Sequence, residues 1–359
     1  MKVTVVRPHE LGAAELASWR AMQRSNSALA NPFLSPGFAL AAGRARPTAR
    51  VAVLEDGQEV GGFFAFDQGR LRIGGPVAPG ASDCQAVVHS AGFEWSAREL
   101  LRGCRLDVWE FDNLIGEQMP SVGRHVSPQG SPIIDLSRGY EAYLAERQAT
   151  SKKTFKSVLN KLRRLERNLG ATRFDFDARD AGALDLLMRW KSAQYRRTGH
   201  RDQFAMEWVV HLVRDLFETR SDGGAGTLSV LRSDEGIVAA HFGLRSQSSL
   251  SCWFPVYDIR LAKYSPGLSL HLKMAEQAAA AGIRYMDLGK GDEDYKQSLK
   301  NRESTVAEGW IERPSALAAA RRIQRAPGRM VVSFIIRHPP LRRATRRVLR
   351  QLGSMRSST

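Results

Sequence analysis

Residues 264–296 read YSPGLSLHLKMAEQAAAAGIRYMDLGKGDEDYK, and this stretch decides how the rest of the sequence is interpreted. A turn leads into an alanine-rich helix, the helix into a short strand, and the strand into a loop dense in glycine and charge. Proteins of the α/β class commonly place a binding site at such a strand end. The stretch therefore predicts an α/β fold with a site just beyond the strand, and a solvated loop is the alternative.

The length and composition predict a folded protein of two domains. At 359 residues the chain exceeds the size at which one hydrophobic core stops growing, and its 43% apolar content is that of a globular protein. Three widely spaced cysteines argue against a disulfide framework, and the eight histidines form no HxH or HExxH pattern, so we expect no metal. The first ten residues lack the apolar region of a signal peptide, which favours a cytoplasmic protein.

The net charge of +16 is concentrated near the C-terminus, because residues 316–359 carry eleven arginines and no Lys, Asp or Glu. An excess of positive charge favours phosphates, acidic lipid surfaces or nucleic acid as partners. Within HPPLRRATRRVLRQLG (338–353), apolar residues share one helical face and arginines the other, as in helices that lie on anionic membranes. We therefore expect peripheral docking on the inner membrane face, with nucleic-acid binding and disorder as alternatives.

Apolar periodicity and turn residues predict the same order of elements twice. The first segment reads as a strand (2–6), a helix (11–24), a hairpin around Asp56-Gly57, a helix (85–102) and a strand (105–111). After residue 170 a strand, two helices, three strands, the helix of 267–281 and the strand of 284–288 follow, and then a short helix and a strand (305–312). This repetition indicates a duplicated α/β fold.

Between the two segments lies SKKTFKSVLNKLRRLERNLG (151–170), whose apolar residues fall on one helical face. Seven Lys and Arg residues share this helix with the single acid Glu166. Lysines in a first turn oppose the helix dipole, which favours anions there. The pattern therefore suggests a negatively charged partner, although a solvated face of a packed helix is the alternative.

Together, the YSPG turn before a helix and DLGKGDEDYK after the next strand resemble the GNAT-superfamily acyltransferases of the CelD/BcsL type, which are associated with cellulose or exopolysaccharide biosynthesis. The resemblance is firmest over residues 151–300 and includes the basic helix, Trp190-Lys191 and AAHFGL (239–244). It implies α/β tandem GNAT-like folds with mixed central sheets flanked by helices. The implied parts are an N-terminal degenerate half (1–138), linking helices (139–170), a C-terminal acyltransferase domain (171–314) and an arginine-rich tail (315–359).

The resemblance implies acetyl-CoA or another acyl-CoA as co-substrate, and direct attack on its thioester requires a base, a donor to the thioester oxygen and a proton for the thiolate. His241, on a strand of small residues, is predicted to be a base near neutral pH, with a satisfied strand histidine as the alternative. Tyr257 is predicted to protonate the thiolate. Asp292 and Lys296 are predicted to bind the acceptor or transfer protons, and both are expected outside the core.

The helix that begins at Gly267 is predicted to hold the donor, because backbone N–H groups at a helix start suit a pyrophosphate. The GNAT pattern Gln/Arg-x-x-Gly-x-Gly/Ala is not kept here, since Ala262 and Ser265 replace its arginine and one of its glycines. The predicted donor-binding residues are Tyr264, Ser265, Gly267 and Lys290. The predicted acceptor-binding residues are Trp190, Lys191, Asp287 and Tyr295.

These observations favour transfer of an acyl group to an amine or hydroxyl of a sugar, lipid-linked or polysaccharide precursor. The YSPG turn also resembles that of the Fem-type aminoacyltransferases, so a tRNA-dependent aminoacyl transferase is a rival. Nucleic acid is expected as a partner only under that rival. A third hypothesis is a scaffold subunit of a polysaccharide synthesis complex that retains the fold without turnover.

Overall fold

The computed structural model describes residues 1–122, 126–219 and 225–315, and only the backbone of residues 152–154. The elements of the N-terminal half are β1 Lys2–Val6, α1 Ala13–Ser25, α2 Pro36–Ala45, β2 Ala49–Asp56, β3 Glu59–Gln68, β4 Ile73–Pro76, β5 Val88–His89, α3 Ala97–Gly103, β6 Val108–Ile115, α4 Met119–Val122 and β7 Val126–Asp135. Helix α5, Tyr140–Leu169, then leads into the C-terminal half. Its elements are β8 Arg173–Asp175, α6 Ala181–Thr198, α7 Glu207–Glu218, β9 Ala225–Ser233, β10 Gly236–Arg245, β11 Ser249–Tyr257, α8 Pro266–Ala280, β12 Tyr285–Asp287, α9 Asp294–Leu299 and β13 Arg302–Glu312.

These strands form one continuous mixed sheet, where the sequence suggested a separate sheet for each half. The strand order is β1-β2-β3-β4-β6-β13-β7-β12-β11-β10-β9-β8, with β5 attached to β3. The two halves have the same strand order when each is followed inward from its own edge of the sheet. In the N-terminal half this order is β1-β2-β3-β4-β6, and in the C-terminal half it is β8-β9-β10-β11-β12. Both runs end in a parallel pair, β4 with β6 and β11 with β12. The duplicated order of elements is therefore present in the structure.

Each half gives its last strand to the other half. Strand β13, from the C-terminal half, pairs with β6 on one side and β7 on the other, and β7 in turn pairs with β12. All three pairings are antiparallel. Neither half therefore completes its own sheet within the described residues, and the two are joined by backbone hydrogen bonds through the centre of the molecule.

Helices cover both faces of this sheet. On one face, α1, α2, α6 and α7 share a single core that runs across both halves and includes Trp19, Phe38, Leu187 and Phe242. On the opposite face, α5 and α8 pack over the C-terminal half, and α3 and α4 over the N-terminal half. Because apolar burial is the main favourable contribution to folding, the shared core binds the halves into one unit.

The basic helix predicted at 151–170 is confirmed as the second part of α5, which bends at Ser151 (φ −135, ψ 36). Its predicted apolar face is buried at Phe155, Val158 and Leu165. Within the described ranges, no helix has both the length and the apolar content that crossing a membrane requires. The arginine-rich region expected to dock on membranes, 316–359, lies outside the described residues.

The helix predicted at 85–102 is wrong over most of its length, since only Ala97–Gly103 is helical. The preceding residues instead add to the sheet: Val88 and His89 pair with Phe63 and Gly62 of β3. A short apolar run such as Ala86-Val87-Val88 suits a buried strand as well as a helix, and tertiary pairing decides between them. Helix α2 and strands β4 and β7 were not predicted.

The exchange of strands is fixed at one end by Asn301, which precedes β13. Its Oδ1 accepts a hydrogen bond from the Asp135 N–H of β7 (2.7 Å), and its Nδ2 donates to the Asp135 carbonyl (3.2 Å). We expect Asn301→Ala to lower the free energy of unfolding by about 1–3 kcal/mol, because it leaves partly buried backbone groups of Asp135 without these partners. Urea unfolding followed by far-UV circular dichroism measures this loss.

Gln129→Ala is the matched control, because Gln129 also joins β7 to β13, through an exposed hydrogen bond to Glu308. Its loss should stay within about 0.5 kcal/mol. Equal losses in the two variants would contradict the role given to Asn301.

Candidate active site

Strand β12 ends at Asp287 while its neighbour β11 continues, and we call the place where β11 loses this neighbour the opening between the two strands. They pair only from Ser249 to Ser251, opposite Tyr285 to Asp287, and β11 then continues to Tyr257 with β10 as its neighbour. Trp253 is an extra residue at the point of separation, because Gly243 pairs with Cys252 and Phe242 with Phe254. A bulge of this kind leaves backbone groups unpaired and often lies next to a binding site. The opening is at the carboxyl end of β12, where the sequence predicted a site.

The corresponding place in the N-terminal half is filled by its own chain. Strands β4 and β6 pair only at Ile73 and Gly74, and segment 77–89 then occupies the space between the separated strands. Gln85 bridges to Leu114, and its side-chain Oε1 accepts the N–H groups of Asp112 (3.1 Å) and Asn113 (2.7 Å). The open cleft of the C-terminal half therefore has a closed counterpart.

The start of α8 stands at one side of the open cleft. Ser265, the residue before the helix, has a left-handed backbone (φ +52), and its Oγ accepts a hydrogen bond from Lys161 Nζ of α5 (2.9 Å). Tyr264 is fixed by a hydrogen bond from Asn168 to its hydroxyl (2.6 Å). A Cβ at Gly267 would meet only Tyr257, at 3.6 Å from Cδ1. The structure thus brings four predicted residues together: Tyr257, Tyr264, Ser265 and Gly267.

Two buried histidines face each other beneath this helix start. His241 on β10 accepts a hydrogen bond at Nε2 from the Trp253 N–H (3.2 Å), which places its own proton on Nδ1. His271 on α8 donates from Nδ1 to the Gly267 carbonyl (2.7 Å), and the ring centroids are 6.0 Å apart. Among the described residues, His241 Nδ1 and His271 Nε2 have no hydrogen-bond partner.

This geometry changes what can be expected of His241. Burial, followed by the nearby His271 and Lys191, lowers the pKa of His241 well below its usual value. An imidazole that is neutral, with its Nε2 lone pair engaged, is better placed to donate from Nδ1 than to accept a proton. Its catalytic role stays a prediction, as a donor and no longer as the base near neutral pH.

Two buried lysines lie on the other side of the cleft. Lys191 of α6 donates to the Pro255 carbonyl on the separated part of β11 (3.0 Å), and burial, with the charge of Lys296, lowers its pKa to about 8. Lys296 of α9 donates to the carbonyls of Gly289 (3.2 Å) and Lys290 (2.8 Å). It is only 7% exposed, so its expected place outside the core was wrong. Its ammonium holds the loop after β12 by satisfying backbone carbonyls.

Asp287 joins this loop to the N-terminal half. Its carboxylate accepts hydrogen bonds from Ser131 Oγ of β7 (3.1 Å), Asn31 Nδ2 (3.1 Å) and the Gly289 N–H (2.9 Å). Burial raises its pKa, and these hydrogen bonds together with Lys296 oppose the rise. A carboxylate within a strand is costly unless partnered, and here partners from both halves supply the compensation.

The four remaining predicted site residues differ in burial and in the groups that they contact. Tyr295 of α9 is half-buried, with its ring 5.7 Å from that of His271, and Asp292 is exposed on the loop before α9. Lys290, predicted to bind the donor, is instead directed at the N-terminal half, where its Nζ donates to the Asp112 carbonyl (2.7 Å). Trp190 is half-buried and packs against the shared core. The roles given to these residues stay predictions.

Asp83 is a candidate that the sequence did not reveal. It lies on segment 77–89 of the N-terminal half, and its Oδ2 is 4.0 Å from the position that a Cβ on Gly289 would take. Burial, and then the charges of Asp287 and Asp112, raise its pKa to about 7. A carboxyl group with that pKa exchanges protons readily at neutral pH, as a general base must. The only sequence signal was a lone aspartate beside an apolar run.

The raised pKa of Asp83 has a consequence for stability. The native state keeps the proton at pH values where the unfolded chain, with a carboxyl pKa of 3.8, releases it. The free energy of unfolding should therefore fall as the pH rises from about 4 to about 7. Asp83→Asn resembles the protonated form and cannot lose the proton. The free energy of unfolding of the variant, relative to that of the parent, should therefore be larger at pH about 8 than at pH about 5. Urea unfolding at both pH values measures this.

The control for this experiment is Asp56→Asn, at the exposed last residue of β2. The stability difference between this variant and the parent should not depend on pH in that range. The same flat dependence for Asp83→Asn would show that Asp83 does not titrate as described.

Comparison with known families and structures identifies the type of domain. Residues 152–297 match the family model described as an acetyltransferase (GNAT) domain. No curated protein sequence matches the chain. The matched range includes the second part of α5, all of α8 and β12, the loop after β12 and the first part of α9 with Lys296.

Solved structures resemble the chain over most of its length. One is the C-terminal domain described as that of a lysylphosphatidylglycerol synthetase from Agrobacterium fabrum, with 13% identity, 86% of this chain and 96% of that chain covered, and a TM-score of 0.50. Another is a tandem GNAT protein from the clavulanic acid biosynthesis pathway, with 11% identity, 88% and 99% covered, and a TM-score of 0.49. A third is FemX, with 11% identity, 72% and 87% covered, and a TM-score of 0.49.

The family match and the fold agree with each other. The α/β tandem fold expected from the sequence is confirmed, and the matched domain implies acyl-CoA as the co-substrate. Residues 152–297, mostly in the C-terminal half, thus form an acetyltransferase (GNAT) domain, and the protein is an acyltransferase through this domain.

Proposed function

We propose that this enzyme transfers an acyl group, acetyl in the simplest case, from acyl-CoA to an amine or hydroxyl of a sugar, lipid-linked sugar or other polysaccharide precursor. The observation that carries the proposal is the cleft between β11 and β12, which opens beside the start of α8 within the matched residues. The resemblance of residues 151–300 to the CelD/BcsL type supports the polysaccharide assignment.

The donor binds at the start of α8. Backbone N–H groups there suit the pyrophosphate of CoA, and Gly267 leaves room because it has no side chain. Lys161 reaches this turn from α5, whose Arg163, Arg164 and Arg167 are exposed along the same helix. These positive charges attract the phosphates of the donor.

The reaction then needs one group that accepts a proton and two that donate one. Asp83 accepts the proton of the acceptor amine or hydroxyl as its nitrogen or oxygen attacks the thioester carbon. His241 Nδ1–H is available to the thioester oxygen, and Tyr257 beside Gly267 gives its hydroxyl proton to the sulfur as the C–S bond breaks.

The acceptor side combines groups of both signs from both halves. Asp83 comes from the N-terminal half, and Lys191 and Lys296 from the C-terminal half. A sugar offers many hydroxyl donors and acceptors, which suits a pocket of carboxylates and ammonium groups. This mixed polarity supports a polyhydroxylated acceptor over an apolar one.

Tyr257→Phe tests the assignment of the thiolate proton. Tyr257 is 36% exposed, so the change should not unfold the protein. Release of CoA thiol from acetyl-CoA, with glucosamine and other sugars as trial acceptors, should slow by about tenfold or more while acetyl-CoA affinity is retained. Mass spectrometry of the product distinguishes N- from O-acylation.

Tyr285→Phe is the control, because Tyr285 lies at the other end of β12, between Arg284 and Arg302. Its turnover should equal that of the parent. Full activity in Tyr257→Phe would remove Tyr257 from the mechanism, and no transfer to any sugar would count against the acceptor class.

A tRNA-dependent aminoacyl transferase is the second candidate, favoured by the exposed arginines of α5 and their connection to α8 through Lys161. Isothermal titration of acetyl-CoA and of tRNA into the same preparation separates the two functions. Micromolar binding of acetyl-CoA, with weak and salt-sensitive binding of tRNA, is the expected result. Tight binding of tRNA alone would favour the second candidate.

A further inference from the structure

A second pocket, distinct from the cleft, lies at the opposite end of β11 and β12, where both strands begin. It has a volume of about 500 Å³ and is formed by the end of α1, segment 27–30, the turn 246–248 and Arg284. Strand β11 has nine residues, so the two ends are separated by about 25 Å. A ligand of ordinary size in this pocket does not reach the start of α8.

Three arginines line this pocket, and no acidic residue does. Arg20 and Arg24 come from the N-terminal half and Arg284 from the C-terminal half. Within the described parts of the chain, none of these guanidinium groups has a hydrogen bond or an ion pair, and Arg284 only lies over the Tyr285 ring at 5.8 Å. Elsewhere, comparable arginines are paired, as Arg44 is with Asp215 (2.6 Å).

The wall between these arginines is held by hydrogen bonds. Gln23 Nε2 donates to the Leu29 carbonyl (2.9 Å), and Ser246 Oγ donates to the Ala30 carbonyl (2.8 Å). The first bond holds segment 27–30 against α1, and the second ties this segment to the turn 246–248 of the C-terminal half. The pocket is therefore a formed feature of the boundary between the halves, with serine hydroxyls and a glutamine amide beside the three positive charges.

We propose that this pocket binds a phosphate-bearing small molecule, at a site separate from the donor cleft. Guanidinium groups bind phosphate oxygens in pairs of parallel hydrogen bonds, and serine hydroxyls add further donors. The volume lies within the range of about 300–1,000 Å³ that is typical of small-molecule sites. The phosphate belongs either to a distant part of the acceptor or to a separate metabolite, and both sources share this chemistry.

Isothermal titration of inorganic pyrophosphate into the full chain, at low salt and with acetyl-CoA present in excess, tests the proposal. We expect saturable binding that weakens at least tenfold in the double variant Arg20→Gln, Arg24→Gln. The control is Arg98→Gln, Arg102→Gln, which removes two exposed arginines with the same spacing from α3 and should bind as the parent does. Arg284→Gln should also weaken binding, because it removes the arginine that the C-terminal half contributes to the pocket.

The outcomes separate this site from the proposed function. Absence of saturable binding, or equal weakening in both double variants, overturns the proposal. Competition between pyrophosphate and acetyl-CoA also overturns it, because the two would then share the donor cleft. Failure of acetyl-CoA to bind would count against the proposed function alone, since pyrophosphate binding would still follow the arginine variants. If transfer to a phosphate-bearing acceptor, but not to the free sugar, depends on Arg20 and Arg24, the phosphate belongs to the acceptor; if neither transfer depends on them, it belongs to a separate metabolite.

Discussion

The antiparallel pairing of β7 with β13 is the interaction on which the rest of the structure depends. It runs from Arg302 opposite Ile133 to Gly309 opposite Val126, at the centre of the sheet. Through it, each half receives its neighbouring strand from the other half. Since β7 also pairs with β12, Ser131 is brought beside Asp287, and the loop that follows β12 is formed against the N-terminal half.

The two halves share an order of strands but differ at the corresponding cleft. In the N-terminal half, segment 77–89 closes the space between β4 and β6 with backbone and Gln85 hydrogen bonds. In the C-terminal half the separated edge of β11 meets Lys191, and the start of α8 lies beside it. The N-terminal half also contributes to the cleft of the C-terminal half, because segment 77–89 places Asp83 close to Gly289 in the loop after β12. Duplication followed by closure of one cleft accounts for the proposed active site, whose residues come from both halves.

Local patterns predicted much of the C-terminal half. The helix of α8, the strands β10 and β11 and the turn at YSPG follow from periodicity and from proline and glycine, which act over a few residues. The cluster of Tyr257, Ser265 and Gly267 was predictable for the same reason. The exchange of β7 and β13 was not, because it joins residues more than 150 positions apart and depends on which edge remains unpaired.

The errors at the site have the same physical origin. Lys296 was expected outside the core, but its ammonium is buried because loop carbonyls surround it. Asp83 was missed because its environment comes from Asp287, Asp112 and Lys296, which are remote in sequence. His241 was predicted as a site residue, while the reasons against its acting as a base, its burial and the hydrogen bond from Trp253, come from the three-dimensional structure. Sequence patterns predicted which residues form the candidate site, and three-dimensional contacts determine the protonation states of those residues.

Hydrogen–deuterium exchange of the full chain, with and without saturating acetyl-CoA, tests the central claim most directly. The account predicts slower exchange at the start of α8, residues 265–270, and in the loop 287–291, with little change in β4 and the first residues of β6, where the N-terminal cleft is closed. Unchanged exchange throughout 264–291, or protection confined to the N-terminal half, would contradict it.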